Sequence, residues 1–285
     1  MDTPRRESTF DPPVIISIAG SDSFAGAGIQ ADIKTASALG GYCCTAITAV
    51  TAQNSRGVSS VWPLPPEELQ KQLQAIADDV RLGAIKIGLL GSVAAVETIA
   101  AFIERQASIP VILDPVLGAS SGHDFRSQPV IDAMRQHLFG VTTLLTPNLA
   151  EAAVLLDAPV ASHLREMEQQ ATALTALGIN AVLLKGGHLP LTSEDAELAT
   201  DVLASDGGIQ LFEARKIKTA NTHGTGCTLS TAIAVELARG KELVEAIKIA
   251  KNYITNTIAY AASGTVVKSN GPLNHFYHIK FRVRV

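Results

Sequence analysis

From Pro13 onward the chain alternates short apolar runs with longer stretches in which apolar residues recur every three or four positions. The runs PVIISIAG (residues 13–20), TAITAV (45–50), AIKIGLL (84–90), PVILDPVL (110–117), TTLLTPN (142–148) and NAVLLKGG (180–187) read as strands buried on both faces. Helical periodicity fills the gaps at 29–39, closed by Gly40 and Gly41, along the face of Leu69, Leu73, Ile76 and Val80, and at 94–104, 128–137 and 163–177. Two further helices are expected at 227–239, stopped by Gly240, and at 243–262. Such repetition favours an α/β fold with a mostly parallel sheet covered by helices on both faces. Residues 202–218 differ: two β-rich runs around an SDGG turn predict an antiparallel hairpin at a sheet edge. The closing FRVRV fits either an added edge strand or a solvated basic tail.

A length of 285 residues with 47% hydrophobic residues suits one domain, 13–285, behind a flexible, polar, Pro-rich N-terminal arm at 1–12. Lys and Arg number 23 against 27 Asp and Glu, a net charge of −4 that offers no basic field to a nucleic acid. No run reaches the roughly 18 apolar residues of a membrane span. Cys43, Cys44 and Cys227 form neither a disulfide framework nor a zinc pattern. Together with an N-terminus lacking a signal-length apolar stretch, this predicts a cytoplasmic protein.

Nearly every strand candidate ends in a polar or Gly-rich cluster: Gly20-Ser21-Asp22, Gln53-Asn54, Lys86-Ile87-Gly88, Asp114-Pro115, Thr146-Pro147-Asn148 and Lys185-Gly186-Gly187. The ligand crevice of an open α/β sheet lies beyond the carboxyl ends of its strands, so these clusters are expected to converge there. Gly26-Ala27-Gly28-Ile29-Gln30-Ala31 satisfies G-x-G-x-x-G/A, yet the AITAVTAQN that follows holds no carboxylate for a ribose. That disfavours a dinucleotide dehydrogenase, and no P-loop string is present. The glycines can instead bring backbone close to a small ligand, with Asp32 one turn into the helix to hold a polar group.

In NTHGTGCTLSTAIAVELARG (221–240), Gly224 and Gly226 free the backbone where a helix begins, so the amides of residues 224–227 can face an anion such as a phosphoryl group. In that positive field Cys227 is expected to favour its thiolate and to act as a base toward a substrate hydroxyl; the other reading is a Gly-rich N-cap beside a small buried cysteine. TPNLAE sets Asn148 and Glu151 three residues apart at a helix start, where they either hold the hydration shell of Mg²⁺ or form a capping box. Lys185 either meets nucleotide phosphate or is a solvated strand-end lysine. Asp114 organises metal or phosphate, or caps a turn with Pro115. Lys86 reads as an outward-facing edge residue or as one paired at the crevice, the structural role being preferred. Gln53 can read ring edges with its amide or satisfy loop backbone. His123, His188 and His223 lie in polar loops without metal-ligand spacing.

Read together, ISIAGSDSFAGAGIQADIKT, AITAVTAQNSRGV, KIGLL, ILDPVL, LLTPNLAEAAVLL, AVLLKGGHL, NTHGTGCTLS and GPLNHFYH, in this order over residues 13–278, resemble the hydroxymethylpyrimidine and phosphomethylpyrimidine kinase family of thiamine biosynthesis, within the ribokinase-like superfamily. The resemblance implies a three-layer α/β/α ribokinase-like fold, a homodimer, and Mg²⁺-assisted transfer of the ATP γ-phosphate. The acceptor it implies is 4-amino-5-hydroxymethyl-2-methylpyrimidine, and then its monophosphate. Asp32 and Gln53 would hold the aminopyrimidine, with Leu89 and Val116 lining its pocket. Gly224, Gly226 and Cys227 would supply the anion hole and catalytic base. Asn148, Lys185 and Thr225 fall to the nucleotide, and Glu151 with Asp114 to the metal. The sequence departs from the family's usual GSDPSGGAG at Ser23, Phe24 and Ala25, which adds bulk beside the ring site. It also lacks a loop lysine in Ala119-Ser120-Ser121-Gly122-His123, which bears on the second phosphorylation, and KIGLL carries Leu where Met is usual. Two alternatives are a pyridoxal or pyridoxine kinase of the same fold and a non-catalytic pyrimidine-binding regulatory module. Intact GTGC and TPNLAE argue against the module.

Overall fold

The computed structural model describes residues 11–106, 108–118, 124–187, 189, 197–264, 266–267 and 270–279. Its elements run β1 (Val14–Asp22), α1 (Gly28–Ala38), β2 (Tyr42–Asn54), β3 (Gly57–Pro63), α2 (Pro66–Ala77), β4 (Ala84–Ile87), α3 (Val93–Ile103), β5 (Val111–Leu113) and α4 (Gln128–His137). There follow β6 (Leu144–Leu145), α5 (Leu149–Leu156), α6 (Leu164–Thr175), β7 (Ala181–Leu184), β8 (Leu198–Ser205), β9 (Gly208–Arg215), α7 (Thr225–Ala238) and α8 (Leu243–Ala261). Among the described residues the strands form one sheet in the order β3-β2-β1-β4-β5-β6-β7-β8-β9. The strands from β2 through β7 are parallel, while β3, β8 and β9 pair antiparallel at the two ends.

Alternate side chains of the strands supply the two halves of the core. Ile16, Ile18, Ile85, Ile87, Leu113, Leu145, Val182 and Leu184 pack with residues of α2 to α6. Ile15, Ala84, Ile112, Leu144 and Leu183 pack with α1, α7 and α8. This is the expected three-layer arrangement, and it explains why the strands carry no polar period. From β1 the chain passes first to β2 on one side and later to β4 on the other. Neighbouring crossovers diverge at that switch point, which opens a crevice at the carboxyl ends of the strands.

The structure differs from the sequence reading in informative places. β2 runs past Val50 to Asn54 and pairs with β3, a strand the sequence reading lacks. The residues of this ribbon are largely exposed, so ladder hydrogen bonds rather than an apolar period hold it together. A register shift falls between Ala52 and Gln53, and such bulges re-aim side chains beside functional sites. β5 and β6 are shorter than PVILDPVL and TTLLTPN suggest, because Asp114–Leu117 and Thr146–Asn148 leave the sheet. The hairpin at the far edge turns at Ser205–Gly208, as SDGG predicts. Lys86 is no edge residue: β4 lies between β1 and β5, and the side chain is fully buried. FRVRV and residues 1–10 lie outside the described residues.

Candidate active site

A cleft of about 1040 Å³ opens at the carboxyl ends of the parallel strands. Gln53, Leu89, Asp114, Val116, Asn148, Glu151, Lys185, Gly224, Thr225, Gly226 and Cys227 all line it, although they are drawn from six separate stretches of chain. Asp32 does not. Its carboxylate is wholly buried behind the cleft, where Oδ2 accepts from Ser17 Oγ (2.5 Å) and Lys86 Nζ (2.8 Å) and Oδ1 accepts from Thr231 Oγ1 (2.7 Å). The expectation that Asp32 holds a ligand is therefore corrected. A carboxylate with its lone pairs already engaged by buried donors anchors Lys86 instead. Burial draws Lys86 down, but the groups around it, Asp32 foremost with Cys227 and Asp114, together keep the ammonium above its ordinary value.

The first loop, 22–27, is stapled by Asp22. Oδ1 accepts from the Phe24 amide (2.8 Å), and Oδ2 accepts from the amides of Gly26 (3.0 Å) and Ala27 (2.9 Å) and faces His223 Nε2 at 2.9 Å. Burial would push this carboxyl up, yet His223 and the amides together hold it below the usual carboxylate range. Ala25 adopts a left-handed conformation (φ 62°), with Lys34 Nζ donating to its carbonyl at 2.7 Å. Phe24 lays its ring 5.6 Å from that of His223.

The loop before α7 meets this first loop backbone to backbone. Gly224 has φ 85°, and a Cβ there would land on the Gly26 carbonyl oxygen, so no other residue fits. The Thr225 amide donates to Thr222 O (3.3 Å), leaving those of Gly226 and Cys227 to open the helix. A Cβ at Gly226 would sit 3.1 Å from Lys185 Nζ and 3.5 Å from Asp114 Oδ2. The same short loop thus touches two clusters, His223 with Asp22 and Gln53 on one side, and Lys185 with Asp114 on the other. Cys227 borders the cleft between them, but the expected thiolate is not its resting state. Burial pushes the thiol up to about 11, and Asp32 and Asp114 add to this, while Lys86 and the Gly28 amide pull it back. Desolvation outweighs the helix-terminus field on which the sequence reading relied.

At the other cluster, Lys185 Nζ donates to Asp114 Oδ1 at 2.8 Å, and Thr146 Oγ1 donates to the same oxygen at 3.1 Å. Asn148 and Glu151 form a reciprocal capping box: the Asn148 amide donates to Glu151 Oε2 (2.7 Å) and the Glu151 amide to Asn148 Oδ1 (2.9 Å). Both residues are also on the cleft wall, so capping and ligand binding are not exclusive here. Burial pushes the Glu151 carboxyl up to about 7; Lys185 opposes the rise and Asp114 reinforces it. Among the described residues no group of three His, Cys, Asp or Glu is gathered to hold a metal. Two carboxylates at the cleft suit a hard cation that keeps most of its waters, which is how Mg²⁺ is commonly bound.

His223 and Asp22 were not singled out as partners from the sequence. They are 201 residues apart, and only the fold brings them together; the available signal was an acid and a histidine each flanking a Gly-rich turn. His223 is buried rather than in a solvated loop, whereas His123 and His188 lie outside the described residues.

The family model described as phosphomethylpyrimidine kinase matches residues 22–274. A hydroxymethylpyrimidine/phosphomethylpyrimidine kinase of Escherichia coli (strain K12) is 44% identical over 262 residues, covering 92% of this chain and 97% of that protein. The chloroplastic thiamine biosynthetic bifunctional enzyme TH1 of Arabidopsis thaliana is 39% identical over 280 residues, covering 96% of this chain and 52% of that protein. Among solved structures, the pyridoxal kinase of Staphylococcus aureus in complex with AMP-PCP and pyridoxal superposes with a TM-score of 0.84 at 28% identity, over 94% of this chain and 95% of that one.

Proposed function

The chain belongs to the phosphomethylpyrimidine kinase family, whose members serve thiamine biosynthesis, and from that membership we propose how its cleft performs the transfer. The protein is a phosphotransferase of the hydroxymethylpyrimidine/phosphomethylpyrimidine kinase type. The acceptor is 4-amino-5-hydroxymethyl-2-methylpyrimidine, held by the Gln53 amide between the apolar walls of Leu89 and Val116. ATP lies on the opposite side of the loop before α7, with its phosphates toward Lys185, Thr225 and Asn148. The observation that supports this division is the loop itself, which contacts the Gln53 cluster through His223 and the Lys185 cluster through Gly226.

The first-turn amides of α7 face the charge that spreads over the equatorial oxygens of the transferring phosphoryl group, and they require no reorganisation to do so. Cys227 accepts the hydroxyl proton, but it must first release its own thiol proton to solvent in the open cleft. Lys86 favours that ionisation from behind the cleft, and it is Asp32 that holds Lys86 in place. Asp114 and Glu151 would hold Mg²⁺ through water, and that ion, when bound, supplies charge neutralisation on the nucleotide phosphates. Product monophosphate re-enters as the acceptor for the second transfer.

Turnover of ATP against a panel of heteroaromatic alcohols, with products resolved by mass, tests this reading. Mono- and diphosphate of the aminopyrimidine are the expected products. A higher kcat/KM on pyridoxal would favour the second reading, a pyridoxal kinase, which the likeness to the Staphylococcus aureus structure keeps in view. Absence of alcohol-stimulated ADP release would favour a binding module. We also read residues 13–285 as one kinase domain of a cytoplasmic homodimer. Trp62 is 67% exposed and pairs across the ribbon with the exposed Val50, an apolar edge suited to self-association. Sedimentation of wild type beside Trp62→Lys would test the dimer.

A further inference from the structure

His223 Nε2 stands 2.9 Å from Asp22 Oδ2 and 3.4 Å from Gln53 Nε2, while Gln53 Oε1 stands 3.3 Å from Thr51 Oγ1. An imidazole nitrogen presents either a proton or a lone pair, not both. Against a carboxylate oxygen that already accepts the amides of Gly26 and Ala27, a lone pair on Nε2 would face a lone pair. Nε2 therefore carries a proton, whether the ring as a whole is neutral or cationic. That proton excludes an amide nitrogen as the group turned toward it, because two donors cannot bond to each other. Amide oxygen and nitrogen have the same shape, so the surrounding network decides which end is which. Thr51 Oγ1 donates to the Ser21 carbonyl at 3.0 Å and has lone pairs left to accept from Gln53.

We propose that Asp22 fixes His223 with its proton on Nε2, and that His223 thereby turns the Gln53 amide so that its oxygen faces His223 and its nitrogen faces Thr51. The three side chains form a relay that determines where the ring site offers an acceptor and where a donor. This rests on the reading of the site as one for an aminopyrimidine alcohol. The 4-amino edge of that ring sets an N–H donor beside a ring-nitrogen acceptor, whereas a 4-oxo analogue sets an acceptor beside an N–H donor. The hydroxymethyl group must reach the loop before α7, so the ring cannot turn over to compensate. Asp22 and His223 are thus positioning residues for specificity, acting through Gln53. The depressed carboxyl of Asp22 agrees with a charge that persists across the working range.

Two measurements test the relay. In ¹⁵N-histidine-labelled full-length protein, the Nε2 signal of His223, assigned by its loss in His223→Gln, is expected to be that of a protonated nitrogen. An unprotonated, pyridine-like Nε2 overturns the proposal without any variant having to fold. In kinetics, Asp22→Asn removes the charge that dictates the proton's position, and the preference for the 4-amino over the 4-oxo alcohol, as a ratio of kcat/KM, is expected to fall about tenfold or more. His223→Gln, whose amide N–H₂ reproduces the Nε2–H donor, is expected to keep that ratio within about threefold. Equal losses on both alcohols in Asp22→Asn would mean that Asp22 only braces its loop, and the relay would be wrong. Should wild type phosphorylate neither alcohol, the functional reading fails, while the position of the His223 proton is decided by the spectrum alone.

Discussion

Two lysine–aspartate pairs in this molecule share a separation of 2.8 Å yet serve opposite ends. Lys86 and Asp32 have no exposed side-chain surface, and Asp32 is saturated by Lys86, Ser17 and Thr231. Lys185 keeps 14% of its side-chain surface open to the cleft beside Asp114. The first is a closed electrostatic circuit; the second is one awaiting a further charge. Distance alone would have ranked them equal. What separates them is access: the Lys86 ammonium is sealed from solvent, whereas Lys185 opens to the cleft, where it can turn a further donor to a ligand.

The largest effect is expected where the closed pair is broken. Lys86→Met leaves Asp32 charged, buried and short of a partner, and should cost about 3–5 kcal/mol in denaturant unfolding. Lys86→Met/Asp32→Leu should recover most of that loss; a single variant as stable as wild type would refute the closed circuit. Lys185→Met should do the reverse. We expect kcat to fall by roughly 10²–10³, about 2.7–4 kcal/mol of barrier, with a loss of unfolding free energy smaller than that of Lys86→Met, because the open cleft lets water reach the Asp114 oxygen that Lys185 vacates. A destabilisation comparable to that of Lys86→Met would erase the distinction between the pairs.

Cys227 lies in the field of both, and its thiol, at about 11, gives a pH signature. If it is the base, kcat/KM of wild type rises with pH without a plateau by about pH 8, and Cys227→Ala lowers kcat by roughly 10²-fold while flattening that rise. An unchanged profile in the variant would remove Cys227 from proton transfer.

The smallest effect concerns the third group at the open pair. Glu151 has a folded value of about 7, above its ordinary 4.5, so its protonated form favours folding. That contribution is complete below about pH 4.5 and is lost as pH rises through 7. Glu151→Gln should keep the cap while removing this slope, so that thermal unfolding of the variant gains on wild type between those limits. Parallel curves would show that Glu151 is ionised throughout.

Much of the cleft wall was legible because helix starts leave local marks. Gly224, Gly226 and Cys227 announce a helix start, and Asn148 with Glu151 a reciprocal cap, each within a few residues. The α4 span coincides with its sequence reading because its apolar stripe and flanks are both local. Asp32 was misread because its helical position is right for the cleft, but its rotamer and its partners on β1, β4 and α7 are not encoded nearby. Lys86 gave a signal that was undervalued: a lysine inside a wholly apolar central strand requires a buried anion. Cys227 was placed correctly and charged wrongly, because desolvation depends on packing that spacing does not reveal. The β2–β3 ribbon escaped because exposed strands are held by a ladder, not by an apolar period.

The contact of Gly224 with the Gly26 carbonyl has a bearing on how such a catalyst can change over generations. A side chain that collides with another side chain can be accommodated by trimming its neighbour. One that collides with backbone cannot, since every residue carries the same carbonyl. Stepwise divergence is therefore barred at Gly224, and also at Gly28, where a Cβ would strike the Gly20 carbonyl. Novelty in the accepted ring is channelled to Phe24 and Ala25, which ride on the loop between these fixed points. A lineage selected for a foreign alcohol should collect its changes there and leave both glycines untouched.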